Sequence, residues 1–352
     1  MESLESAHHI HLIGIGGCSM SGLARILKAH GHMVTGSDRE RTQFTDSLDA
    51  AGIPYSVGHT GAYLDGADLV IYSAAIKPDN PERVIAAQRG IPELERSVAL
   101  GQISSRFHEV VAIAGCHGKT TITSMLAGIT EAAHADATIH VGGYLDALGG
   151  GVRVGSRDLF ITEACEYVES FLTLSPTIAL ISNIDNDHLD YFQSMENIVR
   201  AFEKFLDRLP ADGTFIGCAD DPFVRALIEK SAHRTLTYGL TGGDYCAANV
   251  AYDAEGNPSF TAVRGDEALG RVQLGVPGTH NVLNALGALA VSDRIGVPFD
   301  LYCSAIASFR NTRRRFEFYG ERDGIRVFHD YGHHPNEIRA TLEAAARMPH
   351  KH

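Results

Sequence analysis

Seven consecutive residues, Gly115-Cys116-His117-Gly118-Lys119-Thr120-Thr121, combine the types that handle phosphate. Glycine lets successive backbone N–H groups turn toward phosphate oxygens, Lys119 adds a point charge, and the Thr120 hydroxyl can hold Mg²⁺. The run departs from the general Gly-x-x-x-x-Gly-Lys-Ser/Thr pattern at its first position, where Ile113 stands. An apolar strand-like run at 110–114 leads into it and residues 120–133 have helical spacing, which is the setting of an ATP-binding P-loop. An ordinary glycine turn is the alternative.

Three further groups could do chemistry. Gly14, Gly16 and Gly17 follow the apolar run at 9–13, and Asp38 ends the next strand. This resembles a dinucleotide fingerprint with Ser19 in place of the third glycine, and a tight strand-to-helix turn with a surface Asp is the other reading. Glu163 and His188 each come just after a strand expected beside the P-loop strand. A carboxylate and an imidazole there could hold a metal that neutralises charge during phosphate transfer. Equally, Asp185 or Asp187 could cap a helix and His188 could be a hydrogen-bonded core histidine. Finally, Asp330-Tyr331-Gly332-His333-His334-Pro335 follows a strand, and Arg313-Arg314-Arg315 precedes it as a short charge run that could be a solvated hinge face.

The elements that must position these groups alternate. A strand at 9–13, a helix at 20–30 and a strand at 32–36 make a βαβ unit; a strand at 69–72 and a helix at 81–89 follow, and 104–106 reads as a linker. Strands at 110–114, 159–162, 177–181 and 213–216, with helices between them, predict a doubly wound sheet. Residues 238–274 turn β-rich, 281–295 form a small-residue helix, and a strand at 325–328 and a helix at 337–347 open another α/β segment. The reading is α/β: a Rossmann-like domain over 1–104, a central P-loop ATPase α/β domain over 105–312, and the start of a third α/β domain over 313–352.

Composition narrows the partners. The chain has 352 residues, 44% apolar and 21% charged, which suits folded domains with full cores. A net charge of −13 with no basic run longer than Arg313-Arg314-Arg315 argues against nucleic acid or an anionic membrane surface as partner. The six cysteines show no C-x-x-C pair and read as reduced thiols. An acidic, polar N-terminus and no apolar run of membrane length predict a cytoplasmic protein.

In this order, the pieces resemble the Mur ligases. The likeness rests on His11-Leu12-Ile13-Gly14-Ile15-Gly16-Gly17, Gly36-Ser37-Asp38, residues 115–121, Glu163-Ala164-Cys165-Glu166-Tyr167, Asn183-Ile184 with Asp187-His188-Leu189-Asp190, Gly278 with His280-Asn281, Arg314-Arg315-Phe316-Glu317 and residues 330–335. It implies a domain for a UDP-sugar, a central ATPase domain and a C-terminal domain that admits an amino acid. ATP would phosphorylate a muramoyl carboxylate, and an amine would then displace phosphate to form an amide. Within the family the pattern is nearest the members that join L-alanine to UDP-N-acetylmuramate; members that attach a whole tripeptide to the same sugar are the rival.

By the same resemblance, Gly14, Gly16 and Gly17 cradle the UDP phosphates with Asp38 nearby. Gly115, His117, Gly118, Lys119, Thr120 and Thr121 bind ATP, joined by Asn281, Arg315 and Asp330. Thr120, Glu163 and His188 serve Mg²⁺, and His333 lies near the incoming amino acid, so Lys119, Glu163, His188 and His333 are the expected catalytic set. Lys204 lies in the region of the carbamylated lysine of some relatives and is given no role. His329 replaces the first Asp of the family's Asp-Asp-Tyr. The third domain is expected to continue beyond His352, which would make the present chain a fragment with impaired turnover or a non-catalytic nucleotide-binding module. A nicotinamide dehydrogenase, resting on the Gly14 loop alone, leaves the P-loop unexplained.

Overall fold

The structure is a computed structural model that describes residues 4–156 and 158–349. Its compact units do not follow chain order. One gathers residues 1–108, 137–160 and 173–175, the other 109–136, 161–172 and 176–352.

In the first unit the chain runs β1 (His9–Ile13), α1 (Cys18–Ala29), β2 (Met33–Asp38), α2 (Thr45–Ala50), β3 (Tyr55–Val57), β4 (Leu69–Tyr72), α3 (Pro81–Arg89), β5 (Glu93–Glu95) and α4 (Arg96–Ser104). The strands form a sheet in the order β3-β2-β1-β4-β5, with every pairing parallel. All five residues of β1 are buried, as a central parallel strand covered on both faces requires. Its two histidines are tolerated because both find Thr35 Oγ1, His9 at 2.8 Å and His11 at 3.0 Å. Helix α3 shows local punctuation: the Asn80 side chain accepts from Glu82 N, Pro81 sits at the first turn, and Gly90 ends the helix at φ 67°. Residues 104–106, expected as a linker, are the end of α4 and the turn after it.

The second unit starts with β6 (Glu109–Ala114) and α5 (Lys119–Ala132). The chain then supplies β7 (Ala137–Leu145) and β8 (Gly150–Arg153), an antiparallel pair that belongs with the first unit, where it packs on α1. It returns through β9 (Leu159–Glu163), β10 (Ile178–Ile181), α6 (Leu189–Phe192), α7 (Met195–Leu206), β11 (Thr214–Cys218), α8 (Pro222–Lys230) and β12 (Arg234–Gly239). Then come β13 (Tyr245–Tyr252), β14 (Pro258–Arg264), β15 (Glu267–Gln273), α9 (Thr279–Arg294) and α10 (Phe299–Ser308). A hairpin of β16 (Glu317–Arg322) and β17 (Ile325–His329) leads to α11 (Pro335–Ala346).

Here the strands follow the order β15-β14-β13-β12-β11-β10-β6-β9. Pairing is parallel from β6 through β10, β11 and β12 to β13, and antiparallel from β13 to β15. The apolar runs of β6, β10 and β11 are buried almost throughout. Each fully buried Ile or Val contributes about 1.5–3 kcal/mol, so this sheet is a rigid base. Helix α5 buries Ile122, Met125, Leu126 and Ile129, the i, i+3, i+4, i+7 stripe that lays it along the sheet. From β6 the chain goes to β9 on one side and later to β10 on the other. The crevice beyond the strand ends at such a reversal is where ligands sit in doubly wound sheets.

Candidate active site

Three loops meet at that crevice: residues 115–118 after β6, the stretch after β9 from Glu163, and residues 182–188 after β10. Gly118 caps α5 with φ 86°, and a Cβ there would lie 2.5 Å from Asn284 Oδ1. Gly115 has φ 129°, with the Ser182 hydroxyl packed where a side chain would be. Both glycines are therefore required by backbone conformation and by space. Asn183 fixes the loop from outside, its Oδ1 accepting from His117 N (2.8 Å) while its Nδ2 donates to His117 O (2.9 Å).

The P-loop cation is folded back onto its own loop. Lys119 Nζ donates to Gly115 O at 2.5 Å and to the two oxygens of Glu166 at 2.8 and 3.0 Å. Burial acts to lower the Lys119 pKa, but the Glu166 carboxylate outweighs it and the net shift is upward, so the ammonium stays charged. Burial pushes the neighbouring Cys116 thiol up, with the Glu166 charge adding to it, which makes that sulfur inert at neutral pH. Thr120 Oγ1 donates to Glu163 Oε2 at 3.1 Å. A hydroxyl and a carboxylate at the start of a P-loop helix are the hard oxygen donors that Mg²⁺ prefers, so the residues present fit that ion.

His188 adopts a left-handed φ of 54° and is half-buried. Its ring stands 3.9 Å from Glu166 and 3.8 Å from Asp187, with Tyr167 against it at 4.7 Å between centroids. The structure thus joins Thr120 to Glu163 and groups His188 with Glu166 and Asp187. Neither Asp185 nor Asp187 is the residue that opens α6, a place taken by His188 without a side-chain cap.

A second focus lies at His117 of the P-loop. His117 sits between two carboxylates, Nε2 at 3.0 Å from Asp185 and Nδ1 at 3.3 Å from Glu337 at the start of α11. Burial works against a charged imidazole here, but hydrogen bonds to Glu337 and Asp185 raise the His117 pKa overall. Glu337 is held far below the usual carboxylate range: burial acts upward, and His117, the His333 N–H and Arg315 more than reverse it. Asp185 is lowered in the same way, burial being outweighed by Asn336, the Asn186 N–H and His117.

Beside this focus is a cavity of about 360 Å³, the size of a small-molecule site. His117, Gly118, Thr120 and Thr121 line it from the P-loop side, Asn281 from α9, and Arg315 and Asp330 from the segments flanking the last hairpin. Asn281 is buried and tied to Pro277 O at 2.7 Å. Asp330 accepts from Phe316 N (2.8 Å) and Gly332 N (2.6 Å). The arginine run is not one solvated face: Arg314, at φ 66°, stacks 4.4 Å over Tyr331, while Arg315 turns to Glu337 at 3.5 Å. His333 is exposed, 3.6 Å from Glu337.

The first unit carries the other glycine loop. Gly14, at φ 85°, donates to Ser37 O at 2.8 Å. Gly16 N donates to Asp38 Oδ2 at 2.7 Å, so Asp38 braces the loop itself. Where the third glycine of a fingerprint would stand, Ser19 Oγ meets His140 Nε2 at 3.1 Å and Arg96 at 3.3 Å. Burial lowers the His140 pKa to about 4, leaving it neutral, so Arg96 carries the positive charge there.

Sequence reasoning gave no chemical role to Glu166, Asp185, Glu337, His334 or Arg96. Glu166 had a signal, a second carboxylate three residues after Glu163, and Asp185 and His334 lay in polar runs already singled out after strands; Glu337 and Arg96 had none, because their partners are distant in sequence.

Comparison with known proteins fits this geometry. The Mur ligase middle domain matches residues 113–292, the Mur ligase family catalytic domain matches 9–108, and the Mur ligase glutamate ligase domain matches 314–352. The chain belongs to the Mur ligase family. Among other Mur ligases it is similar to the UDP-N-acetylmuramate–L-alanine ligase of Alkaliphilus metalliredigens, 45% identical over 344 residues that cover 97% of this chain and 75% of that protein. Among solved structures it resembles the UDP-N-acetylmuramate–alanine ligase of Thermotoga maritima, with TM-score 0.84 and 31% identity over 96% of this chain and 77% of that one. It also resembles a murein peptide ligase from Psychrobacter arcticus, with TM-score 0.81 and 29% identity over 96% and 76% of the two chains. Among the described residues of this Mur ligase, no helix is long and apolar enough to cross a membrane.

Proposed function

We propose that this Mur ligase joins L-alanine to UDP-N-acetylmuramate with ATP as the driving reactant. The observation that carries the reading is the P-loop cation Lys119, held by Glu166 beside the Thr120–Glu163 pair, in a chain whose relative at 45% identity bears that activity's name.

The chemistry runs in two displacements. An oxygen of the muramoyl carboxylate attacks the terminal phosphorus of ATP and ADP leaves, which turns a poor acyl donor into an acyl phosphate. The alanine nitrogen then attacks the acyl carbon, phosphate leaves, and the nitrogen loses its proton as the amide forms. Two anions must meet in the first step, so the site has to supply positive charge. Lys119 does this by exchanging Glu166 for phosphate oxygens. Thr120 and Glu163 would hold one Mg²⁺, and His188, grouped with Glu166 and Asp187, would serve a second; bound there, such ions neutralise phosphate charge. Asn281, Arg315 and Asp330 contact the nucleotide in the cavity, and His333 stands toward the amino acid. In the first unit, Gly14, Gly16 and Gly17 receive the UDP phosphates with Asp38 as brace. The unit that gathers residues 1–108, 137–160 and 173–175 serves the UDP-sugar and the other serves ATP, with residues 313–352 toward the amino acid, and the water-soluble substrates suit work in the cytoplasm.

Release of ADP in the presence of UDP-N-acetylmuramate tests this. L-Alanine should stimulate it. If only a tripeptide does so, the peptide-ligase reading, which the likeness to the Psychrobacter arcticus structure favours, replaces this one.

A further inference from the structure

On the far side of His117 from Glu337, three nitrogens converge on one oxygen. Asp185 Oδ2 lies 3.0 Å from His117 Nε2, 3.5 Å from His334 Nδ1 and 2.5 Å from Asn336 Nδ2. One ligand atom from each of His117, Asp185 and His334 falls within 4.8 Å of the others. Donor atoms on a tetrahedral dication with bonds of about 2.0–2.1 Å stand roughly 3.3 Å apart, and the two spacings to Asp185 bracket that value.

The outer ring nitrogens strengthen this. His117 Nδ1 faces Glu337 Oε1 at 3.3 Å, and His334 Nε2 faces the Asn186 carbonyl at 3.3 Å. A histidine that binds a metal usually gives its other N–H to a carboxylate or a backbone carbonyl, which fixes the ring and leaves the inner lone pair free to coordinate. Here both histidines have that arrangement, one with each kind of acceptor. The inner Nδ1 of His334 accepts a long bond, 3.3 Å, from Asn336 N, which an ion would displace. Asn336 also adjoins the set, and a turn of its amide would offer an oxygen as a fourth ligand.

We propose that His117 Nε2, Asp185 Oδ2 and His334 Nδ1 form a site for a nitrogen-preferring dication of the zinc type, separate from the hard-oxygen pair Thr120 and Glu163. Imidazole nitrogen selects such ions over Mg²⁺. Because His334 opens α11 and His117 lies in the P-loop, an ion bound here fastens α11 to the loop beside the cavity.

Co²⁺ provides a spectroscopic test that needs neither ATP nor the sugar, so it is independent of the ligase reading. Metal-free protein in excess Mg²⁺ is titrated with Co²⁺; one equivalent should give tetrahedral visible bands, and one equivalent of Zn²⁺ should remove them. His334→Asn keeps a good helix cap and deletes the imidazole. It should abolish the bands and weaken Zn²⁺ binding by at least about tenfold. Asp185→Asn should do the same, while His188→Ala should retain both signals; circular dichroism and thermal unfolding verify that each variant is folded. Absence of tetrahedral bands in the unmodified protein, their survival in either folded first-named variant, or their loss in His188→Ala overturns the proposal.

Discussion

The two glycine loops of this chain begin alike and are finished differently. Both follow a buried parallel strand, both hold a glycine near φ 85°, and both open a helix. In the first, Gly14 has ordinary space around it, since a Cβ there would find its nearest neighbour, on Ser73, at 3.5 Å. The Gly16 N–H of that loop is taken by Asp38. In the second, Gly118 is packed against Asn284, and the loop bears its own cation, Lys119, restrained by a buried carboxylate. The difference teaches that a glycine turn supplies only the backbone. Charge placement distinguishes the two, and on the proposed reading it suits the first loop to accept a bound diphosphate and the second to phosphate transfer.

The comparison can be broken most forcefully at Lys119. Lys119→Ala should lower ATP-dependent turnover by about 10²–10³ or more, as loss of a charge-stabilising group does, while UDP-sugar affinity measured by calorimetry stays unchanged. It should also destabilise the second unit by about 3–5 kcal/mol in denaturant titrations, because Glu166 is left buried without its partner. Adding Glu166→Gln should recover most of that stability and none of the turnover. Loss of UDP-sugar binding along with turnover would mean the loops do not serve separate ligands.

Next in size is the matched pair Gly118→Ala and Gly14→Ala. Backbone strain is similar, about 1–3 kcal/mol, but only Gly118→Ala adds a collision with Asn284. Its melting temperature should therefore fall further, with ATP binding lost and UDP-sugar binding kept. Equal losses would show that conformation alone matters. Asp38→Ala removes a charged acceptor from Gly16 and should cost about 1–2 kcal/mol, with weaker UDP-sugar binding and ATP binding untouched.

The smallest expected effect is in the pH profile. The folded pKa of His117 is raised, so its contribution is complete below its unfolded value of 6.5 and is lost as pH rises through the folded one. The Glu337 pKa is depressed, so its contribution is complete above the unfolded 4.5 and is lost as pH falls toward the folded one. The tie between P-loop and α11 should thus be tightest between pH 4.5 and 6.5. His117→Asn should remove the high-pH decline from the denaturation profile; an unchanged profile would exclude His117 as its source.

Much of the fold could be read along the chain. Buried strands such as β6 and β10 are continuous apolar runs, and α3 is bracketed by Asn80-Pro81 and Gly90, so sequence periodicity and punctuation find them. The β7–β8 pair escaped because Gly142, Gly143 and residues 149–151 break any alternation, and β16 escaped because its residues are mostly exposed. The excursion of residues 137–160 into the first unit leaves no mark in composition.

What the sequence determined by itself is the backbone of the two loops and the types of side chain on them. Glycine, proline and apolar spacing act within a few residues, through sterics and hydrogen-bond period, and so are visible locally. Only the tertiary structure decided which carboxylate meets which cation. Glu163 and Glu166 are three residues apart, yet the first reaches Thr120 and the second Lys119, while His117 finds Asp185 and Glu337 far along the chain. Charge–charge contact depends on distance in space, and the sheet that brings those strand ends together sets that distance.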